Sequence, residues 1–112
     1  MQYFEESVER YDLVNGKENI EDIISKHFPE YESKAKEIRD DIIYKNIEDL
    51  PTSAILTPRS KNRIEMDLHV TNEKGSNKIC GKFGLKKGKD SLLVFKNDFD
   101  NVWELVGKVR SF

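Results

Sequence analysis

The sequence predicts an α+β domain in which N-terminal helices and one C-terminal helix pack on one face of an antiparallel β-meander of three or four strands. Apolar residues recur at helical spacing before residue 51, alternate strictly after Arg63, and return to helical spacing after Asp98. The chain has 112 residues, which suits a single domain (1–112) made of a helical part (1–50) and a meander with a last helix (51–112).

Two helices are expected first. The apolar positions of the first are Phe4, Val8 and Tyr11. It should end at Asn15-Gly16, because both residues tolerate the left-handed conformation of a helix C-terminus. The second should begin at Asn19, a good N-cap, and end before Pro29, which disfavours a helical residue ahead of it. Its apolar stripe is Ile20, Ile23, Ile24, His27 and Phe28.

A third helix follows Pro29, and the pattern then changes to strands. The stripe of this helix is Tyr31, Ala35, Ile38 and Ile42. After a break at Leu50-Pro51, Ala54–Leu56 is predicted to be a short edge strand that ends at Pro58. In Arg63–Thr71 the even positions are apolar and the odd positions polar, which is typical of a strand with one buried face.

The register between this strand and the next follows from their apolar positions, because a slip of one residue would turn one set outward. A hairpin loop is expected at Glu73–Ser76. On the buried face the predicted pairs are Val70 with Ile79, Leu68 with Gly81, Met66 with Phe83, and Ile64 with Leu85. On the solvent face they are Asp67 with Lys82 and His69 with Cys80.

The C-terminal segment is predicted to contain one more strand and one helix. Leu92–Phe95 is apolar on both faces, so it should be interior or covered on both sides. Asp98 or Asp100 would then cap the last helix, which Gly107 would weaken by about 1 kcal/mol relative to Ala. The positions expected to face the core are Val102, Leu105, Val106 and Val109.

Composition indicates a cytoplasmic protein. No stretch has the length of a membrane span, and the acidic N-terminus lacks the basic and apolar regions of a signal peptide. Cys80 is the only cysteine, so no disulfide forms within the chain. It should be an inert structural thiol, because no neighbour in sequence would lower its pKa.

No enzymatic motif is present. The two histidines and one cysteine lack zinc-ligand spacing, and there is no phosphate-binding loop or nucleophile elbow. Glu65, Asp67 and His69, with Lys82 opposite, are the one titratable cluster on a predicted strand face, and a solvated sheet face explains them. We therefore expect no catalytic site, no cofactor and no metal.

Charge is distributed unevenly along the chain and suggests the leading function. Residues 1–50 carry 7 Lys and Arg against 14 Asp and Glu, whereas residues 51–112 carry 12 against 7. An acidic helical surface can steer a basic partner to its site. The chain is therefore predicted to be a protein-interaction domain, such as an inhibitor or immunity-type protein, with contacts at Glu37, Asp40 and Asp41.

A nucleic-acid-binding module is the alternative. Its candidate residues lie on one predicted strand and the turn after it, namely Lys78, Lys82, Lys86, Lys87 and Lys89. A basic sheet face can follow a phosphate backbone. The predicted register turns Phe83 inward, however, so this face is expected to lack an aromatic side chain for base stacking.

Overall fold

The computed structural model describes residues 8–13, 18–98 and 101–111. In chain order the elements are β1 (Glu9–Asp12), α1 (Glu18–His27), a 3₁₀ helix (Pro29–Lys34), α2 (Ala35–Asn46), β2 (Ser53–Ser60), β3 (Arg63–Thr71), β4 (Asn77–Lys87), β5 (Ser91–Asn97) and β6 (Trp103–Arg110). The strands form one antiparallel sheet in sequence order. The α+β class is confirmed, and the described residues form six strands where three or four were predicted.

The helices cover one face of the sheet and build the core there. The helical stripes predicted from the sequence are buried, including Ile20, Ile24, Ile38 and Ile42 at 0% exposure. They meet the inward residues of the strands, such as Phe83. Each fully buried side chain of this size stabilises the fold by about 1.5–3 kcal/mol. None of the helices in the described part of the chain is long and apolar enough to cross a membrane.

The first predicted helix is wrong where the structure describes it. Glu9–Asp12 forms β1, which pairs antiparallel with β2. Tyr11 packs against the core while Arg10 is exposed, which is the alternation of a strand. Three apolar residues are too weak a helical signal to outweigh backbone pairing with a neighbouring strand. Phe4 and the stop signal at Asn15-Gly16 lie outside the described residues.

The predicted short edge strand is longer and lies inside the sheet. β2 spans Ser53–Ser60 and pairs with both β1 and β3. Pro58, which was expected to end it, lies within it at a register shift between Pro58 and Ser60. A proline cannot donate a ladder hydrogen bond, and such an irregularity is where a paired strand tolerates one.

The predicted register of β3 and β4 is confirmed from Ile64 to Leu68 and is wrong beyond it. As predicted, Ile64 lies opposite Leu85, Met66 opposite Phe83, and Leu68 opposite Gly81. A register shift after Leu68 then places His69 opposite Ile79 and Val70 opposite Lys78, so Cys80 is the extra residue of a β-bulge. Because a bulge adds one residue to one strand, the side chains of β4 before Cys80 change face relative to the predicted pairing.

The C-terminal segment is a strand, and the predicted last helix is wrong. Asp98 accepts a hydrogen bond on Oδ1 from Val102 N at 3.1 Å, and Asn101 has φ of 61°, so these residues form a hairpin turn. β6 then pairs with β5 with a register shift at Val106. This extra residue turns a strand alternation into the spacing of Val102, Leu105, Val106 and Val109, which mimics a helix. Asp100 lies outside the described residues.

Candidate functional site

The candidate site is the sheet face opposite the helices, here called the open face, which no described helix covers. Three rows of directly opposed residues cross it from β3 to β6. The basic row contains Arg63, Lys86, Leu93 and Lys108. The glycine row contains Glu65, Gly84, Phe95 and Leu105. The indole row contains Asp67, Lys82, Asn97 and Trp103. Neighbours in a row are about 5 Å apart and adjacent rows about 7 Å apart.

A tryptophan and an arginine meet over a glycine at the centre of this face. The Arg63 guanidinium carbon lies 5.3 Å from the centroid of the Trp103 ring, within the range of a cation–π contact. A Cβ on Gly84 would lie 3.3 Å from Trp103 Cζ3 and 3.8 Å from Arg63 Nη2. The missing side chain of Gly84 therefore makes the space in which the indole and the guanidinium rest on the sheet.

Aromatic and basic side chains are mixed on the open face. Phe95 and Trp103 are half-buried, while Lys86 and Lys108 are exposed. Glu65, in the glycine row, is bound by Arg59 at 2.8 Å and by Arg63 at 3.6 Å. Because the Glu65 carboxylate is paired with these two arginines, it does not neutralise Lys86 or Lys108.

No family model, curated protein or solved structure matches this chain.

Of the five candidate lysines, the sequence places Lys78, Lys82 and Lys86 on the solvent face of one strand and Lys87 and Lys89 in the turn after it. Lys82 and Lys86 lie on the open face. Lys78 lies before the bulge and lines a depression on the helix side with residues from the end of α2. Lys87 also lies on the helix side, where it forms an ion pair with Glu30, and Lys89 is exposed in the turn before β5. The shared solvent face is confirmed for Lys82 and Lys86 and is wrong for Lys78, because the bulge at Cys80 turns Lys78 to the helix side. Lys89 lies in the turn as predicted, whereas Lys87 is the last residue of β4.

The three predicted acidic contacts lie together on α2. Glu37 is exposed. Asp40 accepts hydrogen bonds from Arg39 Nη2 at 2.7 Å and Nε at 3.0 Å. Asp41 is bound by Lys45 at 2.8 Å, and its side chain is only 12% exposed. The Asp41 carboxylate raises the pKa of Lys45. Two of the three carboxylates are therefore engaged by neighbouring cations.

The Asp67 and His69 pair does not form a compact catalytic cluster. Asp67 faces Ile55 and Lys82, whereas His69 faces Ser53 and Ile79 beyond the bulge. His69 Nε2 is buried without a hydrogen-bond partner among the described residues. Across residues 8–13, 18–98 and 101–111, no three His, Cys, Asp or Glu side chains converge as metal ligands would.

A polar cluster joins β1 to α1, away from the open face. Glu9 accepts a hydrogen bond from the Tyr11 hydroxyl and forms an ion pair with Lys26 at 3.0 Å, and its Oε2 lies 3.2 Å from His27 Nε2. The Tyr11 hydroxyl, followed by Lys26 and His27, lowers the pKa of Glu9 against the opposing effect of burial. His27, predicted to be a packing residue, is half-buried and takes part in this cluster. The arrangement ties the short edge strand to the helical layer.

Sequence reasoning missed the two aromatic residues of the open face. Trp103 was placed near the start of a helix, and Phe95 was placed in a strand covered on both sides. In the structure β5 is interior, but Leu93 and Phe95 face away from the helices and are half-buried. The turn residues Asp98 and Asn101 were the signal that could have identified β6 as a strand.

Proposed function

We propose that this chain is a non-enzymatic binding domain that holds single-stranded nucleic acid on its open face. The observation that supports it is the placement of Trp103 and Phe95 on the same face as Arg63, Lys86 and Lys108. This combination removes the objection that the face has no aromatic side chain.

The chemistry of the face suits a single strand better than a duplex. Cations attract the phosphates, and each base that stacks on an aromatic ring contributes about 1–3 kcal/mol. The basic row offers cations about 14 Å from the indole row, since two row spacings of about 7 Å separate them. The phosphates and an unpaired base of a single strand can therefore contact the open face together. The bases of a duplex are stacked on each other and are not free to stack on the aromatic rings.

The first test is binding of a fluorescently labelled single-stranded DNA or RNA oligonucleotide, followed by anisotropy at low salt. We expect affinity that falls as salt rises, because bound phosphates release counterions. Trp103→Ala should weaken binding by about tenfold or more, since one stacked base is lost. Lys86→Ala, alone or combined with Lys108→Ala, should weaken it and reduce the salt dependence.

The matched control is Lys74→Ala, which removes one exposed lysine in the β3–β4 loop, away from the open face. It should leave affinity nearly unchanged. If the wild-type chain does not bind either oligonucleotide at micromolar concentration in low salt, the proposal is wrong. Equal losses for Lys74→Ala and Lys86→Ala would mean that only net charge matters and not this face.

A second candidate function is a protein-interaction domain whose acidic helical layer binds a basic protein, as an inhibitor or immunity-type protein would. Residues 18–50 carry 10 Asp and Glu against 5 Lys and Arg. This segment forms the layer opposite the open face, so its acidic excess supports a second binding surface that is separate from the open face. A cytoplasmic location belongs to either proposal, since the lone cysteine is compatible with a reducing compartment.

Charge reversal tests the second candidate. Glu37→Lys with Asp40→Lys should abolish salt-sensitive capture of a basic protein from the native host, and Glu73→Lys, in an exposed loop, is the matched control. Asp41 is left intact, because its Oδ2 lies 3.0 Å from the position of a Cβ on Gly107 and its reversal would disturb packing. Unchanged capture by the double variant would exclude this surface.

A further inference from the structure

A pocket of about 350 Å³, here called the end pocket, lies beyond the basic row at one end of the open face. Ser91 lies directly opposite Arg110, and this pair is the next one on the same face after Leu93 and Lys108. The lining residues come from the β4–β5 turn and from the adjoining ends of β5 and β6, and they are Lys89, Asp90, Ser91, Lys108 and Arg110. All five are polar or charged.

Three cations and one carboxylate line the end pocket. Lys89, Lys108 and Arg110 are exposed, and none of them forms an ion pair within the described part of the chain. Asp90, the one acid of the lining, is exposed in the turn. Three positive charges against one negative charge leave a positive excess, which attracts an anion.

The Ser91 hydroxyl adds a neutral hydrogen-bond donor to these cations. Ser91 is only 8% exposed, and its hydroxyl has no hydrogen-bond partner among residues 8–13, 18–98 and 101–111. Unlike Asn97 Oδ1, this oxygen is not sealed from solvent, so a ligand in the end pocket can reach it. An anion there would satisfy a polar group that the fold leaves unpaired.

This set of donors suits a phosphate monoester better than a diester. At neutral pH a monoester carries about 1.5–2 negative charges and three acceptor oxygens, whereas each phosphate inside a nucleic-acid strand carries a single charge. Arginine can bind such a group through two parallel N–H donors, and lysine binds it as a point charge. In a single strand, a phosphate monoester occurs only at a chain end.

The end pocket is within reach of a strand that stacks a base on Trp103. Ser91 precedes Asn97, the residue opposite Trp103, by six positions along β5, or about 20 Å at about 3.3 Å per residue. In a stacked strand, which rises about 3.4 Å per nucleotide, about six nucleotides span that distance. One short strand can therefore contact the indole and the end pocket together.

We propose that the end pocket binds the terminal phosphate of a single strand held on the open face. Arg110, Lys89 and Lys108 neutralise the phosphate, and the Ser91 hydroxyl donates a hydrogen bond to it. The inference rests on the proposed function, because the phosphate is one end of the bound strand. It gives the chain a preference for phosphorylated strand ends in addition to its attraction for polyanions.

The test is anisotropy with one internally labelled oligonucleotide of about ten nucleotides, within the usual range of single-strand site sizes. It is made with hydroxyl groups at both ends, with a 5′-phosphate, or with a 3′-phosphate. At least one phosphorylated form should bind about five- to tenfold more tightly than the hydroxyl form, because it adds charge-assisted hydrogen bonds. A hydroxyl-ended strand that is longer by one nucleotide is the charge control, and it should gain less than about twofold.

Substitutions in the end pocket test the assignment. Arg110→Ala and Lys89→Ala should each remove most of the gain from the terminal phosphate, while the hydroxyl form still binds within about twofold of wild type because the basic row is intact. Asp90→Asn removes the opposing carboxylate and should enlarge the gain. Lys74→Ala is the matched control and should leave the gain unchanged. Should Arg110→Ala not fold, as judged by thermal unfolding, Lys89→Ala decides the question.

The outcomes separate the end pocket from the function on which it rests. If no form of the oligonucleotide binds, the nucleic-acid proposal itself fails. If the hydroxyl form binds and neither terminal phosphate improves affinity beyond the charge control, the open face still binds single strands but the assignment of the end pocket is wrong. A gain that survives in both Arg110→Ala and Lys89→Ala would refute it equally.

Inorganic phosphate distinguishes a strand end from a free anion. At constant ionic strength it should compete with the phosphorylated oligonucleotide more strongly than with the hydroxyl form. If it raises the unfolding temperature of the wild type but not of Arg110→Ala, while terminal phosphates give no gain, the end pocket takes a small free phosphate and the assignment to a strand end is wrong.

Discussion

Replacing Gly84 with valine tests whether the position of the Trp103 indole on the open face depends on the absence of a side chain at Gly84. Even the first carbon of the new side chain would lie 3.3 Å from Trp103 Cζ3, which is tighter than an ordinary contact, and the two γ-methyl groups add further bulk above the sheet. The indole and the Arg63 guanidinium would both have to leave the surface of β4. Gly84→Val should therefore displace the aromatic group without touching the core on the opposite face.

The expected change in stability is small because two effects oppose each other. Valine gains up to about 1 kcal/mol over glycine in a strand. Loss of the Arg63–Trp103 contact costs about 0.5–1 kcal/mol, near the lower end because the arginine side chain is 36% exposed. The net change should lie within about 1 kcal/mol of zero. Binding of a single strand should fall about tenfold, since about 1.4 kcal/mol of stacking corresponds to that factor.

Trp103 is the only tryptophan, so its fluorescence reports on this position alone. In Gly84→Val the emission should shift to longer wavelength as the indole meets water, while urea unfolding stays close to that of the wild type. Thr57→Val is the control, because Thr57 lies on the same face in β2, opposite Glu65. If emission and oligonucleotide affinity of Gly84→Val both match the wild type, the indole does not depend on Gly84.

Three further predictions concern other parts of the fold. Gly81→Ala should destabilise the chain by about 1–3 kcal/mol in urea unfolding, because a Cβ there would lie 2.7 Å from Phe83 Cε2. Phe83→Leu in the same chain should offset part of this loss, and strictly additive losses of the two substitutions would contradict the clash. Glu9, whose pKa is lowered chiefly by the Tyr11 hydroxyl, should stabilise the wild type over Glu9→Gln by at most about 1 kcal/mol at neutral pH. That advantage should shrink as pH falls below the ordinary value of 4.5 and through the lowered pKa, and a constant difference down to about pH 3 would refute it. Burial raises the pKa of the Cys80 thiol, so iodoacetamide should alkylate it more slowly at about pH 8 in the folded chain than in urea, and equal rates would contradict the stated burial.

The sequence predicts the fold well in segments where the periodicity of the apolar residues and the length of the pattern indicate the same element. The stripes around Ile24 and Ile38 are long enough to identify helices, and the alternation in β3 fixes its pairing with β4 as far as Leu68. In these segments a single face is buried, so an error of one residue would expose several apolar side chains. The structure and the pattern therefore agree.

The failures arise where a bulge or a short strand breaks the period. At Val106 one extra residue gives β6 the apolar spacing of a helix, and at Cys80 another moves Lys78 to the helix side. Nothing in the local composition marks either position, since a bulge depends on how two strands pair and twist. The short β1 likewise depends on its partner, because four residues carry too little periodicity to identify a strand.

The two errors have opposite consequences for function. The bulge at Cys80 removes Lys78 from the predicted lysine face, which leaves that face with fewer cations to contact a phosphate backbone. The strand identity of β6 adds Trp103, Leu105 and Lys108 to that same face, which a C-terminal helix would have carried elsewhere. Fewer cations with an indole make a better site for a single strand than a larger set of lysines alone, because charge attracts any polyanion whereas stacking requires an unpaired base. The behaviour of Trp103 variants, more than that of any lysine, therefore decides between specific binding and simple electrostatic attraction.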